Sequence, residues 1–158
     1  MNITGGCHCG AVSYVVAMDN LPAIYACHCL DCQTASGSAF GLHALLPERV
    51  VQITGELSEY RYEGALTASR HWVCARCHTR ICNTNSAVPG MRVLRAGTLH
   101  NSAAIEPIAH IWVKRKQPWL QLAEGIANWP ENPTPEAFAR VLQAHQCARI
   151  TLAPARHE

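Results

Sequence analysis

Seven of the nine cysteines in this chain fall into short-spaced groups, Cys7-x-Cys9, Cys27-x-Cys29-x-x-Cys32 and Cys74-x-x-Cys77, while Cys82 and Cys147 stand alone. Thiols crowded like Cys27, Cys29 and Cys32 are poorly spaced to pair with one another, because a disulfide needs Cα atoms about 4.4 to 6.8 Å apart and one particular torsion. The same crowding suits a soft ion, first of all Zn²⁺ at about 2.3 Å from each sulfur. The chain opens on Met1-Asn2-Ile3-Thr4-Gly5-Gly6, with neither a basic region nor an apolar one, so no signal peptide is read and the expected location is the cytoplasm. Thiols stay reduced there, and clustered cysteines point to metal or redox chemistry.

The seven clustered cysteines divide as four plus three. A closed structural zinc site takes four ligands, commonly two short-spaced pairs from distant parts of the chain, and Cys7, Cys9, Cys74 and Cys77 meet that description. Such a site staples the N-terminal region to a later one, so chelation is expected to weaken the fold; the alternative is four buried, reduced cysteines acting as small apolar residues. Cys27, Cys29 and Cys32 remain, with no obvious fourth cysteine beside them. Either the fourth position is open, as in catalytic zinc sites, or His28, His43, Cys82 or another residue closes it and the metal is structural. Spacing alone leaves both standing. An open site with three thiolates is a mild Lewis acid, better suited to capturing an incoming thiol and lowering its pKa so that it attacks as thiolate.

The elements that must hold these groups read as strands. With 158 residues, 49% apolar and 15% charged, the chain fits one globular domain that buries roughly 70% of its unfolded surface. Glycines flank Cys7 and Cys9, which lets the chain turn tightly around an ion. A strand over 11–16, a turn at Asp19-Asn20-Leu21-Pro22 and a strand over 23–25 suggest a hairpin with a metal-ligand group at each end. Residues 33–36 could make one helical turn stopped by Gly37. Strand-like runs follow at 39–46, 50–54 and 57–62, then a strand–knuckle–strand unit over 70–85 like a zinc ribbon, and further strands at 91–96 and 109–113. Thr134 reads as an N-cap with Pro135 in the first helical position. Phe138, Val141, Leu142 and His145 then share one face of a helix over about 135–147, packed on the sheet or on a partner. Seated on a second copy of the chain, this helix would make a homodimer.

Charge and hydropathy exclude some classes. No run approaches the ~20 apolar residues of a membrane span. The formal charge of +2 counts neutral thiols; seven thiolates and two Zn²⁺ ions would turn it into −1. Lys114 and Lys116 are the only lysines and, with Arg115, form the only basic run, which is no nucleic-acid face.

Gly6-Cys7-His8-Cys9-Gly10, the Cys27 to Cys32 motif followed by Ala35-Ser36-Gly37, the Cys74-x-x-Cys77 knuckle, and the run from His110 through Trp112 and Pro118 to Trp119 together resemble the family of glutathione-dependent formaldehyde-activating enzymes and centromere protein V, over about residues 3–130. The resemblance implies a mainly β fold, Mss4-like or β-tent, with antiparallel sheets over zinc and here a short C-terminal α-helix. It places a zinc-binding domain at 1–130 and a C-terminal extension at 131–158. It also implies two zinc ions, one structural on Cys7, Cys9, Cys74 and Cys77 and one catalytic on Cys27, Cys29 and Cys32. The implied activity is that of a carbon–sulfur lyase, S-hydroxymethylglutathione synthase-like, with a small-molecule thiol and a carbonyl such as formaldehyde as substrates. Two positions depart from the family pattern: His78 stands where Gly usually follows the knuckle, and Cys82 where an aromatic is common, which makes Cys82 a candidate extra ligand or redox thiol. The competing reading is a non-catalytic scaffold module with two structural zincs.

Other candidates are weaker. His43, His71, His100 and His110 titrate near neutrality, but no spacing ties them to the cysteines. Trp112, Trp119 and Trp129 could line a pocket, and Lys114-Arg115-Lys116 could meet the carboxylates of a glutathione-like ligand. Ser36 and Gly37, just behind the three-cysteine motif, are the candidate substrate contacts.

Overall fold

The computed structural model describes residues 3–63 and 68–151, with side chains described as far as residue 145. In chain order it contains the strands β1 (Ile3–Gly6), β2 (Ser13–Val16) and β3 (Ile24–Cys27), helix α1 (Leu30–Ser36), and the strands β4 (Gly41–Pro47), β5 (Val51–Thr54), β6 (Leu57–Glu63), β7 (Ala68–Cys74), β8 (Arg80–Asn85), β9 (Met91–Arg95), β10 (Pro107–Ile111) and β11 (Ala127–Asn128), and ends in helix α2 (Pro135–Thr151). The fold is mainly β with a C-terminal helix, as expected. The described chain divides into two compact units, one from Met1–Ile24 and Leu42–Glu106, the other from Tyr25–Gly41 and Pro107–Glu158.

In the first unit β2 lies between β1 and β5, antiparallel to both, with Gly5 opposite Tyr14 and Tyr14 opposite Ile53. The expected hairpin between 11–16 and 23–25 is therefore not formed. Turn residues permit a reversal at Asp19-Asn20-Leu21-Pro22, but the alternation of Val12, Tyr14 and Val16, each no more than 1% exposed, is satisfied by pairing with β1 and β5 instead. The strands β4, β9, β8, β7 and β6 form an antiparallel meander, with a bulge between Trp72 and Val73 in the β7–β8 pair. Ala44 and Leu46, Ile81 and Cys82, Leu94 and Leu99 join the β2 residues in one apolar core.

Gly5 shows how closely this unit packs. A Cβ at Gly5 would lie 2.2 Å from the Tyr14 ring and 2.5 Å from the Thr98 carbonyl. Only glycine lets the Tyr14 side chain cross β1, where its hydroxyl meets Thr98 Oγ1 at 2.8 Å. Burial pushes the Tyr14 phenol up to about 12.

In the second unit β10 lies beside β3 and runs parallel to β11, His110 opposite Asn128. The α2 N-terminus forms as its sequence predicts: Thr134 Oγ1 accepts from Ala137 N at 3.2 Å and the Thr134 carbonyl from Phe138 N at 3.0 Å. Phe138 packs edge-on against Tyr25 at 5.2 Å and Trp129 at 6.3 Å between ring centroids, so the helix covers its own unit. It continues to Thr151, past the expected end at 147. Among the described residues no helix is long and apolar enough to cross a membrane.

Candidate metal centres

In the first unit the loop after β1 and the knuckle after β7 bring four sulfurs together. Cys7, Cys9, Cys74 and Cys77 have all their Sγ atoms within 4.8 Å of one another, with Cys7 to Cys9 at 3.5 Å and Cys9 to Cys74 at 3.8 Å. A tetrahedron with metal–sulfur bonds of about 2.3 Å has edges of about 3.8 Å, so this set fits one Zn²⁺. Local backbone prepares it. The Val12 amide donates to Cys7 Sγ at 3.2 Å, and Cys7 N donates to the Val12 carbonyl. His78 closes the knuckle with φ of 58°, in the left-handed region where glycine would be unstrained. Its amide is bonded to the Cys74 carbonyl. The two halves also meet directly, His8 N donating to Thr79 Oγ1 at 3.2 Å.

The thiol pKa values record how far this shell favours thiolates. Cys77 falls to about 5 because the Thr79 hydroxyl and amide and the Cys9 amide donate to it. Cys7 is lowered as well: burial opposes this, but the Val12 amide and the Cys9 and Cys74 thiols outweigh it. Cys9 rises to about 11; the Ala11 amide pulls it down, and desolvation and the three neighbouring sulfurs push it up. A dication at the centre would favour all four as thiolates.

The second group lies in the second unit. Cys27 ends β3 and is buried, and Cys29 and Cys32 are half-buried. Cys29 is the N-cap of α1, in extended conformation, and its sulfur accepts from Cys32 N at 3.4 Å as a serine or aspartate cap would. Gly37 ends the helix in the left-handed conformation, as the sequence predicts, although α1 starts earlier than expected, at Leu30. The three sulfurs lie within 4.8 Å of one another. Hydrogen bonds from Cys27 and Cys32, and amides at Cys32 and Asp31, hold Cys29 down to about 2, while hydrogen bonds with Cys29 and Cys32, and then burial, push Cys27 far up. A dication among the three sulfurs would favour all three as thiolates.

Among the described residues no fourth Cys, His, Asp or Glu joins this group. His28, one candidate to close it, is 0% exposed and turned the other way. In an extended Cys-His-Cys segment the residues at i and i+2 share a side and the one between faces the opposite side, a signal the sequence already carried. Its Nε2 lies 2.9 Å from His110 Nδ1, and its ring contacts Phe40 at 5.3 Å between centroids. Burial, then His110 and Lys116, lower His28 to about 4. His43 lies on β4 of the first unit with Arg95 Nη1 at 3.3 Å from its Nδ1. Cys82, 1% exposed, belongs to the core of that unit and to neither sulfur group, so it is not an extra ligand among the described residues.

The remaining candidates fall into place around their own loops. Lys114 pairs with Glu131 and lies over the Trp112 ring, and Lys116 Nζ donates to the carbonyls of Gln117 and Leu120, so both lysines are engaged within the second unit. Trp129 packs on Phe138, Trp112 Nε1 donates to Asn132 Oδ1, and Trp119 is 70% exposed. The Ser36 hydroxyl faces the carbonyls of Gln33 and Phe40 at 3.3 and 3.2 Å. One residue escaped sequence reasoning: Gln33, whose side chain meets partners 82 and 84 residues away. Nothing local announces such a contact.

A solved structure from Rhodobacter sphaeroides is similar at 20% identity, with a TM-score of 0.51 over 66% of this chain and 91% of that one, a likeness of fold. No curated protein matches the chain. The family described as glutathione-dependent formaldehyde-activating enzyme matches residues 2–115, a span that includes both cysteine groups, and the chain belongs to that family.

Proposed function

We propose that this protein is a zinc-dependent enzyme of the carbon–sulfur lyase type, which joins a glutathione-like thiol to a small carbonyl such as formaldehyde or releases it again. The observation that carries this reading is the pair of unequal sulfur groups: one has four members, the other three and no fourth ligand among the described residues. Zinc held by Cys27, Cys29 and Cys32 would supply one exchangeable position at which a thiol is bound and acidified. Access supports the reading, since Leu30 is 56% exposed and Cys29 and Cys32 are half-buried. In the reaction a sulfur–carbon bond forms, the carbonyl π bond opens, and the thiol proton ends on the new hydroxyl. The first group would hold a structural zinc.

Ser36 and Gly37, one turn beyond Cys32, are the residues we place beside the incoming thiol. The Ser36 hydroxyl has one proton, given to a carbonyl, and keeps lone pairs to accept from a ligand N–H. We place the functional domain at 1–130, with 131–158 as an extension.

The test combines metal analysis with NMR. Two zinc per chain, one removed more easily, and formation of S-hydroxymethylglutathione accelerated in proportion to protein would support the enzyme. Two equally inert metals and no acceleration with any thiol would leave the scaffold reading instead. Cys32→Ser should abolish activity and spare the fold, whereas Cys77→Ser should unfold the chain.

A further inference from the structure

The three-cysteine loop is tied down by one side chain with no part in the motif. Gln33 Nε2 donates to the His28 carbonyl at 2.7 Å and to the Arg115 carbonyl at 2.8 Å, and Gln33 Oε1 accepts from Gln117 Nε2 at 2.7 Å. Both of its N–H groups and its oxygen are used. The reverse amide orientation would set Oε1 against two carbonyl oxygens and Nε2 against the Gln117 amide nitrogen, so the network admits one orientation only.

The His28 carbonyl belongs to the His28–Cys29 peptide, within the segment that joins Cys27 to Cys29. Its orientation sets how these two sulfurs are presented, while the same residue's N–H is bound to the Ile111 carbonyl at 3.0 Å. The segment carrying two of the three sulfurs is thus clamped from both sides to residues 111–117. The Gln33 backbone adds to this: its N–H donates to the Cys29 carbonyl, and its carbonyl accepts at the α1 C-terminus. Partners that orient metal ligands commonly change metal affinity 10- to 100-fold when removed, roughly as much as a weak ligand would.

We infer that Gln33, buttressed by Gln117, is a positioning residue that holds Cys27 and Cys29 in the geometry of a three-ligand site. The inference rests on the proposal that these cysteines bind zinc. It goes beyond that proposal in naming what keeps the loop from relaxing around the ion. A site one ligand short has no fourth protein bond to define its shape, so an outside brace must supply that definition.

The test is zinc release from the full chain to a colorimetric chelator. The native protein should release two zinc ions in two phases, the faster from Cys27, Cys29 and Cys32. Gln33→Ala should accelerate the fast phase about 10- to 100-fold and leave the slow phase unchanged. Gln33→Glu should do the same, since a carboxylate cannot donate to two carbonyls. Gln33→Arg combined with Gln117→Glu should bring the fast phase back to within a few-fold of native, because a guanidinium can donate to both carbonyls and to the new carboxylate. Ligand-field bands of the cobalt-loaded protein should shift in Gln33→Ala and return in the double variant. Two phases unaffected by Gln33→Ala and Gln33→Glu, or acceleration of both phases together, would overturn the brace alone. Release of a single zinc from the native chain would overturn the three-cysteine metal site as well.

Discussion

The imidazoles of His28 and His110 meet inside the second unit, Nε2 of the first 2.9 Å from Nδ1 of the second, with the rings stacked at 5.2 Å. His28 Nδ1 is buried without a hydrogen-bond partner among the described residues. A buried orphan N–H is costlier than a buried lone pair, so His28 carries its proton on Nε2 and donates to His110. Removing the acceptor by His110→Leu should therefore cost about 1–3 kcal/mol, whereas the double change with His28→Leu should cost less than the sum of the two single changes. Urea unfolding of the metal-loaded variants reads this cycle. A purely additive result would mean that the pair does not interact.

His71 should make the first unit sensitive to acid. Burial, then the charges of Arg80 and Arg95, lower its pKa from 6.5 to about 4, with the Tyr60 ring at 5.9 Å and the Ser69 hydroxyl at 2.7 Å from its Nε2. The unfolded chain takes up this proton near pH 6.5 and the folded one only near 4, so between these values the unfolded state binds more protons. The stabilisation is fully present above 6.5 and declines as pH falls through that window. His71→Gln should flatten the difference between stability at pH 7 and at pH 4.5, measured against native protein carrying the same metal. An unchanged slope would show that His71 titrates normally.

Cys82 should be chemically silent. It is 1% exposed, and burial pushes its thiol up to about 11 against the pull of Arg92 and Arg80. Iodoacetamide followed by peptide mapping should label Cys82 in the metal-loaded protein only after denaturant is added. Labelling at the rate of an exposed thiol would contradict its place in the core. Cys82→Ala should leave the metal content of the protein unchanged.

Gly5→Ala should be among the most damaging small substitutions in the chain. Its methyl would meet the Tyr14 ring at 2.2 Å and the Thr98 carbonyl at 2.5 Å, and overpacking of this kind costs about 1–3 kcal/mol or more. Gly10 has nothing within 4 Å of such a Cβ and differs only in its φ of 77°, so Gly10→Ala should lose about 1 kcal/mol through backbone strain alone. Thermal denaturation of the two variants separates collision from strain; equal losses would refute the Tyr14 crossing.

What the sequence determined by itself is whatever a few neighbouring residues can enforce. Gly37 and His78 sit at left-handed turns, and Thr134-Pro135 starts a helix, because in each case the deciding contacts lie within a turn of backbone. The division of seven cysteines into four and three was also legible, since ligand spacing is local even when the two halves of a site are not. Only the tertiary structure decided which strand β2 pairs with, that His28 turns to His110, that Cys82 is core, and that Gln33 reaches Arg115 and Gln117. Turn residues allow a chain reversal without choosing the partner strand. That choice follows from burying Val12, Tyr14 and Val16 together, and contacts between residues more than 80 positions apart, such as Gln33 with Gln117, exist only once tertiary packing has brought their loops side by side.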